Sequence, residues 1–361
     1  MATKTTKVVT TTTTTTETTT KVSGGTGWFG GLSTLFKALL IIGALLIVGI
    51  VVGVLLFGRV KVASNSMETA YSKGGTVWFK RFGAPERGDV LVFRHPEADS
   101  VNLNAPDKNY YKMTRLYGEA WCNKNVDPVV FQGKKKRPIL LSRCVGLPGD
   151  MVAIRDNKVI VNNNPVEDAA TTKYLFLTVT NDILKNEYLE PLGINKQDIT
   201  YVGEDAETII SFYHKSIPTN SQAALYSLSE AEADAIYKSN VALKIQRVSL
   251  PKDYFERTVF PYIEKLHWNS SNFGAVPVPE KGKVLKLNTN ILPLYRRCIE
   301  AYEGNKVEVK GDKIFINGTE TDSYRFRRNY FFVLGDNRTT EDDSRYFGFL
   351  PDSHVMGVAC E

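Results

Sequence analysis

Cysteine is scarce: four residues in 361, at positions 122, 144, 298 and 360. They are too few for a disulfide scaffold, and no C-x-x-C pair suggests a zinc or dithiol site. Histidine is equally rare, and His95, His214, His267 and His354 lack metal-ligand spacing. All four are read as non-catalytic, so a histidine-based triad is not expected, nor is a metal or cofactor. A dominant charge is missing too. The net charge is +6, of which residues before 38 contribute four lysines and one glutamate. With no Arg/Lys-rich stripe in the remainder, a nucleic-acid footprint is excluded. Apolar residues are plentiful, at 43%, enough for a packed core.

Thirteen of the first twenty residues are threonine, followed by a stretch rich in glycine. A segment of that composition cannot bury enough apolar surface to order itself, so residues 1–36 are expected to be a disordered tail. Residues 38–58 then carry no charged or hydrogen-bonding side chain between Lys37 and Arg59. At ~1.5 Å per residue that run matches the ~30 Å hydrocarbon core of a bilayer. It is too long for a signal-peptide core and no small-residue cleavage site follows, so 37–58 reads as an uncleaved anchor in the lipid bilayer. Flanking charges, Lys21 and Lys37 against Arg59, Lys61 and Lys73, do not set its orientation.

Beyond the anchor, β-branched and aromatic runs bounded by turn residues recur: 77–79, 90–93, 152–154, 159–161, 307–309, 314–316 and 330–334. The expected fold class is mostly β and antiparallel, with a mixed α/β insertion and one N-terminal transmembrane helix. Residues 221–238 are expected to be helical, with Ser229 as N-cap. Arg143-Cys144-Val145 with the segment 152–163 resembles Arg297-Cys298-Ile299 with 307–318. Each pairs a strand, a tight polar turn and a second strand, a pattern that duplication and two ordinary hairpins explain equally. The domains follow as 59–163 for the first part of a β unit, 164–290 for an insertion and 291–361 for the closing part.

Three separated segments concentrate the chemistry: Ser64-Asn65-Ser66-Met67-Glu68-Thr69, then Arg143 through Asp150, then Gly335-Asp336-Asn337-Arg338 with Asp343-Ser344-Arg345. In order and spacing, with the single anchor ahead and Arg87-Gly88-Asp89 between, they closely resemble type I signal peptidases. These are membrane-anchored serine proteases that remove signal peptides from exported proteins, and the long insertion is similar to the Bacteroidetes form. The resemblance implies Ser66 as nucleophile, Ser64 as an oxyanion donor beside the Ser66 N–H, and Met67 in the substrate groove. Asp336, Asp343 and Arg345 fall near the site in structural roles, the last two sharing a face of an extended segment. The implied activity is endoproteolysis of signal peptides of the Ala-x-Ala type. It also implies a single-pass protein of the bacterial inner membrane, its bulk in the periplasm; the oligomeric state is left open.

The resemblance breaks at the base. Family members usually carry a lysine directly before the arginine of the second segment, where Ser142 stands here. A neutral hydroxyl cannot replace an amine as general base. The family's lysine-contacting serine aligns with Glu341. Three accounts stay open. The chain is a pseudoprotease that binds peptides or scaffolds partners, or Glu341 serves as base with a pKa raised by burial, or a lysine of 134–136 swings in. The family arrangement also implies that Ser66 and Ser142 meet within hydrogen-bond reach, directly or through one water.

Overall fold

The computed structural model describes residues 34–68, 70–102, 109–125, 129–201, 203 and 205–360. Thr69 and most of the 1–36 tail lie outside them. Two units are distinguished, 1–54 and 55–361. In the first, one α-helix, Thr34–Leu56, is apolar on every side. Its stretch Phe36–Leu56 has mean hydropathy 3.2 and buries nothing within the chain, the pattern of a helix whose solvent is lipid.

The second unit is built on a seven-stranded antiparallel sheet. Its order is Phe57–Lys61, Thr76–Lys80, Val355–Ala359, Val90–Arg94, Ile139–Gly146, Tyr330–Leu334 and Leu350–Pro351. The central strands Val90–Arg94 and Tyr330–Leu334 are buried on both faces, which is why they read as continuous apolar runs. One face packs Val62, Met67, Val77, Phe79, Val92 and Leu141 together; the other gathers Leu91, Phe93, Cys144, Phe331, Val333 and Leu350. All seven runs named from sequence lie in strands.

The two similar hairpins are alike in detail. Met151–Arg155 pairs with Lys158–Val161, and Val307–Lys310 with Lys313–Ile316. In each, an asparagine in the left-handed region, Asn162 (φ 51°) or Asn317 (φ 52°), starts the next turn. Asn162 gives its N–H to Met151 O at 2.9 Å and accepts the Met151 N–H on its side chain at 2.9 Å; Asn317 does the same with Lys306, at 2.9 and 2.9 Å. The likeness stops at the Arg-Cys pair. Arg143-Cys144 lies in a strand, whereas Arg297 closes the helix Leu292–Arg297.

Between the hairpins, Tyr174–Thr180 lies central to a separate three-stranded sheet with Gln222–Leu228 and Lys244–Arg247. Asn164–Val166 and Phe273–Pro277, at the two ends of this stretch, join the four-stranded sheet of Met151–Arg155. The helix expected over 221–238 occupies only its second half. Ser229 caps Glu230–Lys238 through a reciprocal capping box with Glu232, and Gln222–Leu228 is a strand. An N-cap has non-helical backbone, so the chain before it is free to pair, and seven residue pairs with Tyr174–Thr180 override its weak helical propensity.

Candidate active site

Ser66 stands in the loop between the strands Phe57–Lys61 and Thr76–Lys80. Backbone bonds Val62 N to Gly75 O and Gly74 N to Val62 O, both 2.9 Å, close the loop at its base. Met67 anchors it from within. Its side chain is completely buried among Val62, Val77, Phe79 and Leu141, and its sulfur accepts the Asp336 N–H at 3.3 Å. The groove role expected of Met67 is therefore not its place in this structure. The thioether is a foundation under the serine, because the apolar face of the sheet is where a flexible hydrophobe is stabilised.

The segment after Tyr330–Leu334 wraps the same loop. Asn337 N–H donates to Ser66 O at 2.8 Å, and a Cβ on Gly335 would lie 2.8 Å from that oxygen and 3.3 Å from Ser66 Cβ. Glycine is required there for close approach. Asp343 locks the wrap. It caps the one-turn helix Ser344–Phe347, accepting from Arg345 N at 3.0 Å, and takes the Gly335 N–H at 3.2 Å. Arg345 adds side-chain bonds to both Asp343 oxygens, Nη2 at 2.8 Å, and donates to Arg338 O and Thr340 O at 2.9 and 3.2 Å. The pair is buried, with 4% and 0% of the side chains exposed. Burial disfavours the guanidinium charge, but the Asp343 carboxylate outweighs it and holds Arg345 above its ordinary pKa. The expected pairing is present, though across a helix N-cap and not along an extended segment. Asp336 in turn receives Arg143 bidentately, Nε at 2.8 Å and Nη2 at 2.5 Å, tying the loop to the strand Ile139–Gly146.

That strand brings Ser142 to the site. Ser142 is fully buried opposite Leu91, and its hydroxyl donates to Leu141 O at 2.7 Å and reaches Asp342 O at 3.4 Å. Ser66 Oγ also donates to Leu141 O, at 2.9 Å. Ser66 and Ser142 thus converge on one carbonyl oxygen. Ser66 Oγ lies 2.8 Å from Ser64 Oγ, and Ser66 N–H points at the same Ser64 oxygen at 3.3 Å.

Glu341 is not drawn into this cluster. Its carboxylate pairs with Lys112 at 2.8 Å and its side chain is 41% exposed, not buried as the role of substitute base was expected to require. The carboxylate at the site is the next one along. Asp342 is half-buried. Burial raises its pKa above the ordinary value, the Ser64 hydrogen bond works against that, the Asp343 and Glu341 charges add to it, and Lys112 subtracts. Asp342 falls at no position of the motif; the Glu341-Asp342-Asp343 run is the only trace of it in the sequence. Lys134 donates to Ser353 O at 2.6 Å, on the surface turn 134–136. His95 and His354 are held neutral at pH 7, at about 4 and about 3, by burial, His354 with Arg137 Nη1 2.9 Å away.

Beside the serine loop opens a cleft of about 520 Å³, lined by Asn65, Glu68, Tyr174, Tyr201 and Tyr254 among others. A family model described as "Signal peptidase, peptidase S26" matches residues 34–206 and 322–360, leaving out the second hairpin. Signal peptidases IB of Staphylococcus aureus strains Mu50, N315 and MW2 are each 26% identical over 109 residues. The match covers 22% of this chain and 57% of each relative, so the chain spans little over half the length of these curated relatives. A solved signal peptidase I of Enterococcus faecalis V583 aligns at 15% identity with a TM-score of 0.23, over 77% of this chain and 97% of that one.

Proposed function

The chain belongs to the S26 family of signal peptidases, and from that premise we propose that it removes N-terminal signal peptides from exported proteins, with Ser66 as nucleophile. The observation that carries the reading is the Ser66 loop: a hydroxyl 2.8 Å from Ser64 Oγ, its own N–H alongside, in a loop held by the Asp336–Arg345 wrap. A hydroxyl and a backbone N–H in one loop suit an attacking oxygen and the oxyanion it creates. Ser66 follows the apolar span by ten residues, so attack takes place close to the membrane surface. The proposed setting is the bacterial inner membrane, crossed once, with residues 60–361 in the periplasm.

The test is cleavage of a preprotein bearing an Ala-x-Ala-type signal peptide by the purified full chain in detergent, compared with Ser66→Ala. Release of mature protein by the wild type and none by the variant is the expected result. Protease treatment of spheroplasts checks the topology; digestion confined to the threonine-rich tail would show the orientation reversed. One observation favours a second reading: the buried neutral Ser142 hydroxyl at the base position suits a protein that holds signal peptides without cutting them. Peptide binding with no cleavage at any pH is its signature.

A further inference from the structure

We propose that the insertion holds the serine loop in its working position: Ser227 is a positioning residue that acts on Ser66 through Asn337. The proposal rests on the reading of Ser66 as nucleophile and gives the 164–290 insertion a task at that site. Ser227 stands in the strand Gln222–Leu228, opposite Leu175 and outside all three motif segments. Its hydroxyl donates to Asn337 Oδ1 at 3.2 Å, and the Asn337 N–H donates to Ser66 O at 2.8 Å. One residue therefore separates the insertion from the serine loop.

The backbone carries the same link. Beside Asn337 the wrap runs along Lys173 as a short parallel bridge, with Lys173 N–H donating to Asp336 O at 2.8 Å and Arg338 N–H to Lys173 O at 2.9 Å. In an extended chain the backbone groups of successive residues point to opposite sides. Those of Asp336 and Arg338 are taken by the insertion, so the Asn337 N–H faces the other way, toward Ser66 O. The wrap is a single strand held between two partners. Arg338 fastens it again, with Nε on Gly335 O at 2.8 Å and Nη2 on Asp168.

Asn337 Oδ1, Thr339 Oγ1 and Ser227 Oγ close a triangle whose sides are 2.6, 3.1 and 3.2 Å. Oδ1 also accepts the Thr339 N–H at 3.2 Å, which fixes the amide's orientation, because its NH₂ end cannot accept. Two hydroxyl protons serve the triangle. That of Thr339 occupies the shortest side, leaving that of Ser227 for Asn337. Ser227 and Asn337 are buried, so water does not replace their bond. Tying Ser66 O fixes the plane of the peptide it shares with Met67, whose side chain is locked in the core. A catalytic group displaced by ~1 Å loses about 100-fold in rate. Ser227, Asn337 and Thr339 also line the cleft, so direct contact with substrate is the rival role for Ser227. Kinetics separate the two, since loss of uniform binding raises KM and loss of positioning lowers kcat.

The experiment compares wild type, Ser227→Ala, Thr339→Val, Thr339→Ser and Tyr213→Phe as full chains in detergent, by preprotein cleavage and by amide hydrogen exchange of the segments 62–68 and 335–339. Tyr213→Phe is the control within the insertion: it removes the hydroxyl that bonds Ser249 O at 2.8 Å, away from the wrap. Ser227→Ala is expected to lower kcat by about 10- to 100-fold with KM within about threefold, and to speed exchange in both segments by about fivefold, the factor one neutral hydrogen bond is worth. Thr339→Val should move the same way, and Thr339→Ser, which keeps the hydroxyl, should restore both readouts. Tyr213→Phe should leave both as in wild type. A kcat for Ser227→Ala within about twofold of wild type, a rise in KM alone, or faster exchange confined to 335–339 would overturn the positioning role while leaving the protease reading standing. A wild type that cleaves no preprotein would overturn the protease reading, and the exchange in 62–68 then decides by itself whether the insertion holds the loop.

Discussion

Replacing Asp343 by asparagine tests how the wrap around Ser66 is held. The substitution keeps volume and one acceptor, so the cap bond from Arg345 N at 3.0 Å survives on Oδ1. The other position becomes an NH₂ facing two donors, Gly335 N at 3.2 Å and Arg345 Nη2 at 2.8 Å. With the Asp343 side chain 0% and Arg345 4% exposed, water cannot take over either bond. Breaking one side of a buried ion pair costs about 3–5 kcal/mol, because the remaining charge is left uncompensated. At roughly 2–4 °C per kcal/mol, the expected fall in Tm is about 6–20 °C. Arg345→Met and the double variant complete a cycle in which the double loses less than the sum of the singles, since removing both charges leaves none stranded. Calorimetry of the full chain in detergent supplies the numbers. Asp234→Asn is the internal reference: its bond to Lys238, 3.0 Å but 75% and 69% exposed, is worth at most about 1 kcal/mol. A loss in Asp343→Asn no larger than in that reference, or strict additivity in the cycle, would refute the argument that this pair holds the loop.

Gly335→Ala should reduce cleavage more than stability, since the new methyl meets Ser66 O at 2.8 Å and displaces the serine loop without opening the core; a kcat equal to wild type would show that the close approach is not needed. Glu341→Gln should leave cleavage within about twofold, because an exposed pair with Lys112 contributes at most about 1 kcal/mol; loss of activity comparable to Ser66→Ala would return Glu341 to the base position. Asp342→Asn should gain stability over wild type as pH rises. The folded-state pKa of Asp342 is raised, so its stabilising contribution is complete below the unfolded carboxylate value and is lost as pH climbs through the raised one. The difference in Tm, variant minus wild type, should therefore grow from pH 4 to pH 7, and a constant difference would contradict the raised value.

Much of the scaffold was legible because its signals are local. The β-branched and aromatic runs and the tight polar turns of the two hairpins depend on neighbours in sequence, and they lie in strands and turns. The strand Gln222–Leu228 was not legible, because its conformation is decided by pairing with Tyr174–Thr180 about fifty residues away. The site divides in the same way. Ser66, Asp336 and Arg345 are visible as motif positions, while the burial of Met67, the exposure of Glu341 and the partial burial of Asp342 depend on how three distant segments pack.

The sequence alone determined the apolar span, the antiparallel β character, and the absence of an amine at position 142, since each is a property of residue types and their spacing. Only the tertiary structure decided which of two neighbouring carboxylates is withdrawn from solvent. Glu341 and Asp342 are adjacent in the chain and chemically alike, and nothing in their order says which one turns inward. The clamp of Asp343 on Arg345 and Gly335 holds the path of the segment on which both stand, and in that path Glu341 pairs with Lys112 at the surface while Asp342 is half-buried.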